Sequence, residues 1–126
     1  MKKILIIDDE PDIRKALRSV LESMGHSVFE ASDGMEGLEE FNKYQFDLII
    51  TDLIMPNKEG LETIIQLKKY SPTMKIIAIS GGGRVSPKKY LDMAEKLGAD
   101  KSFTKPIDYK EFIASVNEML CDNFDK

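Results

Sequence analysis

The stretch ILIIDDEPD, residues 4–12, runs four apolar residues into three consecutive carboxylates and a proline. A short unbroken apolar run such as Ile4-Leu5-Ile6-Ile7 fits a strand buried on both faces, and such strands belong to parallel sheets flanked by helices. Asp8, Asp9 and Glu10 repel one another where this strand ends. Either they form a solvated turn that caps a helix, or they form a cation site.

Working outward, Ile13, Leu17, Val20, Leu21 and Met24 recur at helical spacing. Pro11 suits the first turn of that helix and Gly25 its C-terminal cap. Ser27–Ala31 reads as a second strand, less apolar and so at an edge, followed by a helix from about Met35 to Tyr44 with Leu38 and Phe41 facing inward. Phe46–Thr51 is a third strand, and Leu61, Ile64, Ile65 and Leu67 mark a third helix that stops before Ser71-Pro72. Lys75–Ile79 is a fourth strand; Ser86-Pro87 opens a helix ending at Gly98. Lys101–Thr104 is a short fifth strand, and Asp108 with Glu111 resembles a capping box for a last helix carrying Phe112, Val116, Met119 and Leu120. Strand and helix alternate to give an α/β fold with an open parallel sheet covered on both faces. A closed barrel needs eight such units and would not fit.

The 126 residues suffice for one domain, 1–126, with a sizeable core. A formal net charge of −4 argues against direct nucleic-acid binding. Arg84, Lys88 and Lys89 are only a small basic cluster, read as a solvated loop and helix start. Cys121 is the single cysteine, so an internal disulfide is excluded. The apolar run after MKK breaks into acids too early for a signal peptide, and no stretch approaches the ~20 apolar residues of a membrane helix. A soluble cytoplasmic protein without membrane contact is the expectation.

In open α/β sheets, ligands sit beyond the C-terminal strand ends. Here those ends carry Asp8 and Asp9, Asp52, Ser80 and Lys105. If strands one and three are neighbours, roughly 5 Å apart, the acids share a pocket and raise one another's pKa unless a cation neutralises them. Oxygen donors without His or Cys favour Mg2+, or Mn2+, over zinc. Mg2+ so held keeps positions open for phosphate oxygens, Lys105 offers a charge and Ser80 a hydroxyl, which makes Asp52 a natural nucleophile for an aspartyl phosphate.

These residues resemble a known family. IIDDEPDIR, DLIITDLIMPNKEGLE around Asp52, IAISG at Ser80 and GADKSFTKPI through Lys105 resemble, in order and over nearly the whole chain, the receiver domain of two-component response regulators, in the single-domain form of the chemotaxis members. The resemblance implies a doubly wound, flavodoxin-like five-stranded sheet of order 2-1-3-4-5 with five helices. It implies Asp52 as phosphoacceptor, with Asp9, Asp52 and the backbone carbonyl of Ile54 on Mg2+ and Asp8 acting through water. Lys105 would pair with the phosphoryl group, Ser80 would move to hydrogen-bond it, and Lys105–Pro106 is expected to be cis. The donor would be a phosphohistidine on a sensor histidine kinase or phosphotransfer protein, met at an exposed start of helix one around Arg14, Lys15 and Arg18. The surface of helix four, strand five and helix five would carry the output to an effector protein or domain. The chain would catalyse its own phosphorylation and dephosphorylation without turning over external substrates. A piece of a longer protein stays open beside the single-domain reading.

Three departures stand out. The family's switch position, usually Tyr or Phe, is Ser102, and alternation turns Phe103 to the other face, which counts against coupling through an aromatic flip. Gly81-Gly82-Gly83 predicts an unusually mobile loop, or simply a permissive turn. Ile54 cannot orient an attacking water by hydrogen bonding. His26 reads as a solvated strand-start residue, the seven methionines as core filler, and Cys121 lacks a visible activating partner. Three rivals fare worse. A haloacid-dehalogenase-type phosphatase wants a second Asp where Ile54 stands. A flavodoxin-like electron carrier would set its FMN phosphate against the acids. A receiver that only binds and takes no phosphate would not need the acidic set, Ser80 and Lys105.

Overall fold

The computed structural model describes residues 2–53, 60–81 and 87–121. The elements run β1 (Lys3–Ile7), α1 (Pro11–Ser23), β2 (Ser27–Ala31), α2 (Gly34–Lys43), β3 (Leu48–Asp52), α3 (Gly60–Tyr70), β4 (Ile76–Ser80), α4 (Pro87–Leu97), β5 (Lys101–Thr104) and α5 (Tyr109–Leu120). The strands pair in parallel in the order β2-β1-β3-β4-β5. This is the doubly wound arrangement that the resemblance implied.

Alternation along the strands builds two cores. Ile4 and Ile6 of β1, with Leu48 and Ile50 of β3, meet Leu17 and Leu21 of α1 and Phe112 and Val116 of α5 on one face. Leu5, Ile7 and Ile49 meet Ile64 and Leu67 of α3 and Leu91 and Ala94 of α4 on the other. Each fully buried Leu or Ile contributes about 1.5–3 kcal/mol of hydrophobic stabilisation, so the central strands anchor the molecule. Among the described residues no helix is long and apolar enough to cross a membrane.

Local chemistry explains the element ends. Pro11 opens α1, and its C-cap Met24 is followed by Gly25 at a φ of 92°, the left-handed conformation that favours glycine. Asp108 caps α5 by accepting from the backbone N–H groups of Lys110 and Glu111. Asp33 caps α2 in the same way through Glu36 N, while Glu36 accepts from Ser32 N, a capping box that spacing alone did not single out.

Some expectations shift. The third strand begins at Leu48 rather than Phe46; ahead of it, Asp47 holds Lys3 by its backbone N–H to Lys3 O and by its carboxylate on Lys3 N, both at 2.8 Å. Ile65 is exposed; Thr63 takes the inward place beside Ile64 on α3. Not every methionine fills the core, since Met35 and Met93 are exposed while Met74 and Met119 are buried. Ser86 lies outside the described residues.

Candidate functional site: an acidic pocket at the strand ends

Ile7 of β1 pairs with Thr51 of β3, so the next residues, Asp8 and Asp52, stand side by side at the C-terminal edge of the sheet. One carboxylate oxygen each from Asp8, Asp9, Glu10 and Asp52 falls within a cluster 4.8 Å across. Asp8 and Asp52 are buried, whereas Asp9 and Glu10 face solvent. Donors from two strands thus meet a rim that opens outward.

β4 pairs with β5 so that Ser80 lies opposite Thr104, and Lys105 N donates to Ser80 O at 2.9 Å. That register delivers Lys105 to the acids. Its Nζ lies 2.6 Å from Glu10 Oε1, 3.2 Å from Asp8 Oδ2 and 3.5 Å from Asp52 Oδ2. The Lys105–Pro106 peptide is cis. Burial pulls the Lys105 pKa down, but the hydrogen bond to Glu10 and the charges of Asp52 and Asp8 outweigh it, so the ammonium is held above its ordinary value.

Asp8 shows the opposite balance. Burial raises its pKa, and neither the Glu10 N–H on Oδ1 nor the neighbouring lysine fully offsets that. Its Oδ2 is close to Lys105 without hydrogen-bond alignment, and it is one of two buried side-chain oxygens without a hydrogen-bond partner among the described residues. The other is Ser80 Oγ, on a residue with no exposed surface. Buried polar atoms without a partner are rare in folded chains, and a bound ion or a catalytic role is among the reasons for them. An oxygen-only donor set that includes a buried carboxylate with spare acceptor capacity fits a hard divalent cation.

Gly81 follows Ser80 directly beneath Lys105. A Cβ there would stand 2.3 Å from Lys105 Cβ and 2.9 Å from Lys105 N. The close approach of the residue after β5 therefore requires this glycine, a packing need that the sequence reading did not consider. Gly82, Gly83 and Ile54 with its carbonyl lie outside the described residues.

Ser102 and Phe103 point to opposite faces, as alternation predicted. Ser102 Oγ donates to Glu95 of α4 at 2.6 Å, and Phe103 meets Phe112 of α5 edge-on. Two of the three basic residues expected to be exposed at the start of α1 are committed elsewhere. Arg14 donates to the Asp8 carbonyl at 2.6 Å and to Glu30 at 2.9 Å. Arg18 pairs with Glu30 at 2.5 Å and donates to Val28 O. Lys15 alone of the three is fully exposed. Sequence reasoning missed these bonds because Arg14 and Glu30 are partners only once β2 pairs with β1; the lone charge inside β2 was the available signal.

An open parallel sheet with acids converging at its C-terminal edge and a lysine reaching over them puts the chain among the doubly wound α/β proteins whose ligand sites lie beyond the strand ends. The comparisons narrow the class. Residues 4–117 match the family described as the response regulator receiver domain. The chain is 30% identical over 119 residues to the chemotaxis protein CheY of Halobacterium salinarum, covering 94% of this chain and 97% of that one. It is 31% identical to the transcriptional regulatory protein GlrR of Escherichia coli, where it spans only 26% of the relative's length. Among solved structures, the response regulator TrrA of Thermotoga maritima, in complex with Mg(2+)-BeF, superposes with a TM-score of 0.84 at 32% identity, covering 95% of this chain and 100% of that one. The chain belongs to the response regulator receiver family, the receiving component of two-component signalling.

Proposed function

We propose that this receiver takes a phosphoryl group onto Asp52 from a phosphohistidine of a sensor histidine kinase or phosphotransfer protein. The observation that carries the reading is the convergence of Asp8, Asp9 and Asp52 with Lys105 at one strand edge. Asp9 and Asp52 would hold Mg2+, or Mn2+, with Asp8 supporting it through water and the Ile54 carbonyl as a further ligand. The cation would neutralise the carboxylates and the charge on the transferring group.

The chain's own residues do the rest. An Asp52 oxygen attacks phosphorus in line, a P–O bond forms, the P–N bond breaks, and its electron pair leaves on the donor imidazole, which takes up a proton. Lys105 sits close enough to Asp52 to pair with a phosphoryl oxygen, and the unsatisfied Ser80 hydroxyl can donate to another. The domain acts on itself rather than on external substrates, works in the cytoplasm without binding nucleic acid directly, and reports to an effector protein or domain through the surface of α4, β5 and α5. We read residues 1–126 as one receiver domain. Incubation with Mg2+ and a small acyl phosphate, followed by intact mass measurement, should add one phosphoryl group to the wild type and none to Asp52→Ala. An unlabelled wild type would favour a receiver that serves only as a binding module.

A further inference from the structure

Glu10 is the one member of the acidic set without a part in the chemistry above. It occupies the N-cap position of α1, yet its side chain makes no capping hydrogen bond. Glutamate is also not among the preferred N-cap residues. Its carboxylate turns instead to Lys105, at 2.6 Å the shortest of the three contacts that ammonium makes. The two partners differ sharply in setting: the Glu10 side chain is 56% exposed and that of Lys105 15%.

We infer that Glu10 is the resting counterion of Lys105, a positioning residue that surrenders the lysine when a phosphoryl group arrives. The inference rests on the reading of Asp52 as phosphoacceptor. A cation in the pocket draws on Asp8, Asp9 and Asp52, which leaves Glu10 as the remaining anion for Lys105. Glu10 and the incoming phosphoryl oxygens are both anionic and compete for one ammonium. Because Glu10 is solvated, its release restores hydration rather than stranding a buried charge, so the exchange is easily reversed. Aspartate at this position would keep the charge but fall one methylene short of the lysine. Glu10 therefore tunes how readily a donor engages Lys105, without being a ligand of the metal.

Two variants of the full chain, Glu10→Asp and Glu10→Gln, test this. In metal-free buffer, modification of Lys105 by an amine-reactive reagent, read by peptide mass spectrometry, should rise several-fold in both. With Mg2+ present, the KM for an acyl phosphate donor should fall about threefold in both while the limiting rate stays within about twofold. The fall in Glu10→Asp, which keeps the negative charge, is what a mere change in net charge would not produce. Mg2+ affinity by titration calorimetry should stay within about threefold of wild type in Glu10→Asp; a loss of roughly tenfold or more would make Glu10 a ligand and overturn the inference. Unchanged Lys105 reactivity in both variants would overturn it as well. The reactivity measurement does not require phosphorylation, so a wild type that takes no phosphate would strike the Asp52 reading and leave the counterion contact to be decided on its own.

Discussion

The ends of β1 and β5 are built on opposite terms. β1 is a central strand, with Ile4 to Ile7 wholly shielded, yet the residue after it is a buried Asp8 whose Oδ2 has no hydrogen-bond partner among the described residues. β5 is a half-exposed edge, yet its side chains are matched: Lys101 to Glu118, Ser102 to Glu95 and Phe103 to Phe112. A shielded strand thus ends in a strained charge, and a half-buried one has three of its four side chains paired. β1 carries both packing and chemistry, while β5 lends the site only Lys105 beyond its end, a division that substitutions can read.

Three substitutions probe that division. Phe112→Ala removes a fully buried ring that meets both Phe103 and Tyr109 edge-on. It should cost about 3–5 kcal/mol in urea unfolding; a loss below about 1 kcal/mol would mean that this side of the sheet is not anchored by aromatic packing. Asp8→Asn acts in the other direction. It relieves a buried charge in a cluster of like charges, so the metal-free protein should gain roughly 0.5–2 kcal/mol, seen as a higher Tm. Saturating Mg2+ should cancel the gain, since the cation rewards the wild-type carboxylate; a lower Tm in metal-free buffer would show that Asp8 is already paid for by Lys105. Ser102→Ala should change stability least, by no more than about 1 kcal/mol, because only one partly solvated hydrogen bond to α4 is lost.

Most of the architecture could be read from apolar patterning. β2 and β5 carry the boundaries that pattern suggests, Ser27–Ala31 and Lys101–Thr104, because turns bound both tightly. β3 was less legible, since Asp47, just before it, meets Lys3, 44 positions away, through its side chain as well as its backbone. Periodicity also cannot order strands; the order came from the resemblance and agrees with the observed pairing. At the site, Asp8, Asp9, Asp52, Ser80 and Lys105 were visible as polar strand ends, because topology alone sends such residues to one edge. The roles of Arg14 and Glu10 were not visible. Long, flexible side chains choose among several partners, and only their placement shows which they take.

The pocket draws on positions 8 to 10, 52, 80 and 105, contributed by four strand ends. Glu10, the last of the mutually repelling acids after β1, and the lysine that balances them lie 95 positions apart in the chain. Each parallel pairing, β1 with β3, β3 with β4 and β4 with β5, must close before Lys105 reaches both Asp8 and Asp52. A partly unfolded copy therefore has no assembled pocket, and the pocket's presence doubles as a certificate that the sheet has closed.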